Sequence, residues 1–139
     1  MRHRDLPDGR IVLKFLPGEE LVSTLTAFLN DRRIYGGSLT GIGAGKDVEL
    51  GHFSEGRYHK VRFAGPVEFV SLTGNVSRVE DGAAFPHLHA VISLTDMSTA
   101  GGHVFQASIE PTCEVYLWPS SEPVERRMDA AKGLKLLDL

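Results

Sequence analysis

Hydrophobic and polar residues alternate with a period of two along most of this chain, and the period lengthens to a helical one only once. Ile11, Leu13 and Phe15 fall on one face of a strand running from Arg10 to Leu16, which Pro17-Gly18 closes with a turn. From Glu19 onward Leu21, Leu25, Phe28 and Leu29 recur at helical spacing. Glu19 and Glu20 are expected in the first turn of that helix and Arg32 and Arg33 near its end, an arrangement that suits the helix dipole. Beyond it, Ser38 to Ile42, Val48 to Phe53, Tyr58 to Phe63 and Val67 to Val76 read as strands separated by Gly, Ser or Pro. Two more strands, His87 to Leu94 and His103 to Ile109, flank a loop from Thr95 to Gly102, and a last one, Thr112 to Trp118, stops at Pro119. The pattern predicts a single α/β domain with one main helix and a core from about residue 8 to 118. In the tail, residues 119–139, Leu134, Leu136, Leu137 and Leu139 are expected to fold back onto the domain or onto a neighbouring subunit.

Composition narrows the picture. A chain of 139 residues is the size of one ordinary domain. Its 42% hydrophobic and 24% charged residues exclude wholesale disorder. Cys113 is the only cysteine, so neither an internal disulfide nor a thiolate-rich zinc or iron–sulfur site can form within one chain, and a reducing compartment fits. Met1 to Gly9 lacks the apolar stretch of a secretory signal, and no apolar run is long enough to span a bilayer, so a cytoplasmic protein is expected. The formal charge of -3 disfavours an unaided grip on phosphate backbones.

The most informative residues are histidines. In Pro86-His87-Leu88-His89-Ala90-Val91 the two-residue period places His87 and His89 on one face of a strand. Neutral imidazoles suit zinc, copper, nickel or iron, and a His-x-His strand with one remote histidine, here His103 after Gly101-Gly102, is a recurrent three-nitrogen site with an open fourth position. The bland alternative is that each ring is a satisfied polar residue at a strand end. A simple hairpin with Leu94 opposite Gly102 would set His103 against Ser93, roughly 14 Å from His89. On that register one hairpin cannot close the site. Either the connection is different, or His103 completes the site of an adjacent subunit in a symmetric oligomer.

Other constellations carry less. Gly41-Ile42-Gly43-Ala44-Gly45 resembles a phosphate-binding loop, but strand residues rather than a helix follow it, so a bend or bulge in a sheet is expected. His52 and His59 are expected on solvated strands, and Cys113 as a buried small apolar residue. Glu68 and Glu114 interrupt otherwise apolar strands and are the candidate proton carriers, against the simpler reading that both alternate outward on a half-exposed sheet.

Gly41-Ile42-Gly43-Ala44, Val48-Glu49-Leu50-Gly51-His52-Phe53, Val67 to Val76, His87-Leu88-His89, Gly101-Gly102-His103 and Cys113-Glu114-Val115, in this order, resemble the plants-and-prokaryotes-conserved (PPC) domain family. The order and spacing of these pieces carry the resemblance, which covers most of the chain. It implies an α/β fold of the α+β type with a largely antiparallel mixed sheet, assembly as a homotrimer, and metal-ligand roles for His87, His89 and His103, with zinc the usual ion. A trimer would also supply His103 from a neighbour. Plant members carry a Gly-Arg-Phe-Glu-Ile-Leu segment for partner interactions, where this chain has Gly65-Pro66-Val67-Glu68-Phe69-Val70, and a separate AT-hook that this chain lacks. In cupins a glutamate follows the His-x-His pair; here Val91 to Thr95 follow, which leaves only an analogy of site. The leading expectation is a homotrimeric metal-binding domain that binds or acts on a small ligand. Its rivals are a DNA-associated regulator using Arg2, Arg4, Arg32, Arg33, Arg126 and Arg127, and a structural trimerisation module.

Overall fold

A computed structural model describes residues 1–139. The predicted first strand is β2 (Ile11–Phe15), with Ile11, Leu13 and Phe15 buried, but it is preceded by an unforeseen β1 (Arg2–Asp5) that pairs antiparallel with it. Arg2-His3-Arg4-Asp5 has no apolar face to betray a strand. It forms because the edge of β2 offers backbone partners, and all four side chains remain exposed. The helix α1 (Leu21–Asp31) buries Leu21, Leu25, Phe28 and Leu29 against the sheet, each worth about 1.5–3 kcal/mol relative to exposure. Its start differs from the expectation: Glu20 is the N-cap, and its carboxylate accepts from the Val22 and Ser23 amides and from the Ala107 amide. One side chain thus closes the helix end and ties it to the sheet. Arg32 is the C-cap, and Arg33, at φ 54°, turns the chain out.

Several predicted strands prove to be halves of longer ones. Ser38–Ile42 and Val48–Phe53 join into β3 (Gly37–Ser54), followed by β4 (Arg57–Phe63), β5 (Val67–Arg78) and β6 (Ala84–Ser93). The segments around His103 and Cys113 join into β7 (Thr99–Pro119). The glycine-rich stretch lies inside β3, where the register slips between Gly41 and Gly43 against β5 and between Gly43 and Gly45 against β7. It is the bend expected of it. The tail folds back on its own chain as a hairpin of β8 (Glu125–Asp129) and β9 (Leu134–Asp138), joined to β5 by one parallel pairing, Arg78 with Glu125.

The sheet runs β1-β2-β7-β3-β5-β8-β9, with β4 on the edge of β3 and β6 bridging β5 to β7. Every pairing but β5 to β8 is antiparallel. Because β3 pairs with β5, β5 with β6, β6 with β7 and β7 with β3, these four strands close a circuit. The core, including Leu72, Leu88, Ile92, Val104 and Ile109, fills its interior and the gap to α1. The candidate site lies where β6 closes the circuit.

Candidate metal centre

The β6–β7 hairpin is tighter than the sequence suggested. Its turn is Leu94 to Ser98: the Leu94 amide donates to the Ser98 carbonyl, Asp96 accepts from the Ser98 amide, and Met97 adopts φ 67°. Ser93 therefore faces Thr99, and counting back along both strands sets His89 opposite His103. The expected register, with His103 against Ser93, is wrong by the four residues Thr99 to Gly102, which are strand and not loop. A plain hairpin brings the third imidazole to the other two within one chain. On β6, Pro86, Leu88 and Ala90 are buried while the two histidines face the other way, as the period of two requires.

Close backbone approach makes room for the third ring. His103 is flanked by His89 on one side and by Gly51 of β3 on the other. A β-carbon on Gly102 would lie 2.7 Å from the Gly51 carbonyl oxygen, and one on Gly51 would lie 2.5 Å from the Phe105 ring. Only glycine fits at either position.

The three ring centroids stand 5.0 to 5.5 Å apart, and one nitrogen from each ring lies within 4.8 Å of the others. Tetrahedral zinc sets bound nitrogens about 3.4 Å apart, so ring rotations of about an ångström close the set. The Nδ1 atom of His103 is buried and has no hydrogen-bond partner. Such an atom costs about 1–3 kcal/mol unless something satisfies it, and a cation bound at that nitrogen would do so. Burial first, then nearby cations and the other imidazoles, push His87 and His103 down to about 4. Both rings are neutral at physiological pH, the charge state that metal ligation requires.

The tail contributes a residue that sequence reasoning misplaced. Arg126, expected among the surface cations, is buried at 4% exposure. Its Nε donates to Ser77 Oγ (2.8 Å), Nη1 to the Lys135 carbonyl (2.7 Å), and Nη2 to Asn75 Oδ1 and His87 Nδ1 (both 2.9 Å). A guanidinium only donates, so His87 Nδ1 accepts and the proton of the neutral ring sits on Nε2. To hold an ion, His87 must either lose that proton or exchange Arg126 for the ion at Nδ1. No sequence signal marked Arg126, since its partners come from β5, β6 and β9.

Between the imidazoles and the β8–β9 hairpin lies a cleft of about 220 Å³. Tyr58 and Phe105 pack beside His103, with ring centroids 5.3 and 4.7 Å from it, and Lys60 Nζ sits 3.7 Å over the Phe105 ring. Glu68 and Glu114 are exposed, and neither lines this cleft. Glu68 faces Ser93 at the far end of the β5–β6 ladder, beside a separate hollow, and Glu114 pairs across β7 with Lys14 and Ile42. Cys113 is fully buried, and burial pushes its thiol up to about 12, so it is inert packing. His52 and His59 face each other, exposed, across β3 and β4.

The family model of the Plants and Prokaryotes Conserved (PCC) domain, the family abbreviated PPC above, matches residues 5–120. The chain belongs to this family. Solved structures agree with the placement of the PPC domain. A metal-containing protein from Archaeoglobus fulgidus is 32% identical, with 94% of this chain and 93% of that one covered and a TM-score of 0.86. A plant- and prokaryote-conserved protein from Pyrococcus horikoshii is 26% identical over 94% and 91% of the two chains, TM-score 0.85. A protein from Bacteroides thetaiotaomicron, named as a candidate DNA-binding protein, is 27% identical over 99% and 96%, TM-score 0.92. No curated protein matches the chain.

Proposed function

We propose that this PPC domain binds a divalent metal ion through His87, His89 and His103, zinc being one of the ions an all-imidazole set suits and the usual one in the family, and presents it to a small ligand in the adjoining cleft. The observation that carries the reading is the convergence of the three rings, with one nitrogen of each within 4.8 Å of the others; a buried His103 nitrogen without a partner adds to it. A bound ion would supply a Lewis acid. The chain's residues do the rest: Leu88 and Ala90 anchor the strand that aims two of the rings, Tyr58 and Phe105 shield one side of His103, and Arg126 competes with the ion for His87 Nδ1. A proton-carrying role for Glu68 or Glu114 gains no support from the lining of the cleft.

Elemental analysis of untagged protein tests the reading, with His87→Ala/His89→Ala as control. About one equivalent of metal per chain, lost in the double variant, is the expected result; no retained metal, or the same content in both proteins, overturns it. Assembly as a homotrimer belongs to the same proposal. It is supported by exposed Ile42, Tyr116 and Trp118, which share the outer face of adjacent strands β3 and β7. No helix is long and apolar enough to cross a membrane. A cytoplasmic setting is likewise proposed, on the strength of the single buried cysteine.

A DNA-associated role is the second reading, favoured by the naming of structural neighbours and by Arg2, Arg4 and Arg33, which are exposed and make no ion pair. Of the other arginines considered, Arg32 is paired with Asp5, Arg127 with Asp138, and Arg126 is buried. Retention of the full chain on duplex DNA at low ionic strength, lost with added salt, would support this reading, and no retention would remove it.

A further inference from the structure

Arg126 presents a physical problem that the metal site does not solve. The residue is only 4% exposed, yet all four partners of its guanidinium, Ser77, the Lys135 carbonyl, Asn75 and His87, are uncharged. His87 counts as uncharged because its Nδ1 accepts from the guanidinium. Four bonds also leave one of the five guanidinium N–H groups, on Nη1, without an acceptor. Arg126 makes no ion pair: Glu125, its neighbour in sequence, is taken by Arg78, and Glu49 is taken by Lys60. A cation withdrawn from water without a counter-charge is costly, and a divalent ion on the neighbouring imidazoles would add charge of the same sign.

The cleft over Arg126 has a matching composition. No acidic residue lines it; its charged lining residues are Arg126 and Lys135. Its walls are otherwise largely apolar, formed by Tyr58, Phe85, Phe105, Met128, Leu134 and Leu136. The guanidinium lies 5.4 Å from the Phe85 ring centroid and Lys135 Nζ 6.0 Å from the same ring, so both cations border that aromatic wall. Its volume of about 220 Å³ exceeds the roughly 150 Å³ that suffices for benzene in an apolar protein cavity.

We propose that this cleft takes a small organic carboxylate, whose anionic group answers the buried guanidinium of Arg126 and whose flat apolar body lies against Phe85, Phe105, Leu134 and Leu136. The proposal deepens the metal reading, since this ligand would lie beside the same three imidazoles. A carboxylate fits better than a bulky polyanion because the one buried charged anchor is a single planar guanidinium and most of the remaining wall is apolar. Lys135, exposed on β9, adds a second positive charge for the approaching anion.

Calorimetric titration of the full chain with benzoate and with its uncharged analogue benzamide tests the assignment, in zinc-loaded and in chelator-stripped protein. Saturable binding of benzoate at least tenfold tighter than benzamide in both forms is expected. Arg126→Met should bring benzoate down to the benzamide level, and Leu136→Trp, which fills the cleft while leaving the guanidinium in place, should weaken both. Should Arg126→Met fail to fold, the benzoate-to-benzamide ratio of the unaltered protein decides. Equal affinities for the two, or benzoate binding unchanged in either variant, overturn the proposal. Protein that retains metal but does not prefer benzoate sinks this proposal alone; protein that prefers benzoate but never retains metal sinks the metal reading alone.

Discussion

Gly102 and Gly101 precede His103 as a pair, but the structure gives them different tasks, and replacing each with alanine separates them. A β-carbon on Gly102 would meet the Gly51 carbonyl oxygen at 2.7 Å and its carbonyl carbon at 3.2 Å, both backbone atoms of the adjacent strand that cannot rotate aside. Restoring ordinary contact requires β7 to move away from β3 by about 0.7 Å, one residue from the His103 ring of the proposed metal site, and overpacking of this kind typically costs about 1–3 kcal/mol. Metal–ligand distances tolerate only about 0.2 Å, so the same shift should weaken metal binding by about 10- to 100-fold. A β-carbon on Gly101 would come no nearer than 3.3 Å to the Ala90 carbonyl oxygen, and neither glycine has a positive φ, so the comparison isolates space from backbone conformation. Zinc affinity by competition with a chromophoric chelator, together with urea unfolding of the stripped proteins, gives both quantities. Gly101→Ala should stay within about threefold and about 1 kcal/mol of the parent. If Gly102→Ala binds zinc as the parent does, or if Gly101→Ala is the more damaging change, the steric reasoning is wrong.

Two further outcomes follow from the same geometry. His87 and His103 are held near 4 in the folded protein against about 6.5 unfolded, so the unfolded chain takes up protons first as pH falls. Stability of the metal-free protein should be fully present above about pH 6.5 and decline towards pH 4; the urea midpoint of a His87→Phe/His103→Phe variant should be flatter over that window, and parallel curves would contradict the assignment. Arg126→Met frees His87 Nδ1 and removes a like charge beside the site, so it should tighten zinc binding at least threefold. It should also lower stability by about 1–3 kcal/mol through the stranded Ser77 and Asn75; weaker zinc binding by folded variant protein would refute the competition.

What could be read from the sequence was local periodicity, and what could not was pairing. The helix over Leu21–Asp31 and the shared face of His87 and His89 follow from spacing alone, because apolar partners at the alternate positions fix which way the strand or helix turns. The register of β6 against β7 depended on where the turn begins. Gly101 and Gly102 look like loop residues because glycine is a poor strand former, yet they are strand residues, and Gly102 must be glycine because Gly51 backs onto it. β1 has no hydrophobic signature, since it is held by backbone bonds to an edge. Arg126 beside Arg127 reads as surface charge; only the return of the tail, with Asn75, Ser77 and His87 converging from other strands, turns one of the pair inward. The resemblance pointed to His87, His89 and His103, which the fold brings together, but the tail lies outside the segment it covers.

That boundary matters. The family segment ends at residue 120, while the hairpin that overhangs the imidazoles begins at Glu125. The floor and the ceiling of the cleft are therefore separate parcels of sequence. Exchanging the terminal hairpin would keep all three histidines and the closed circuit of strands while replacing Arg126 and the wall that stands over the rings. One scaffold could in this way be given a different roof by edits confined to its last 15 codons, Glu125 to Leu139.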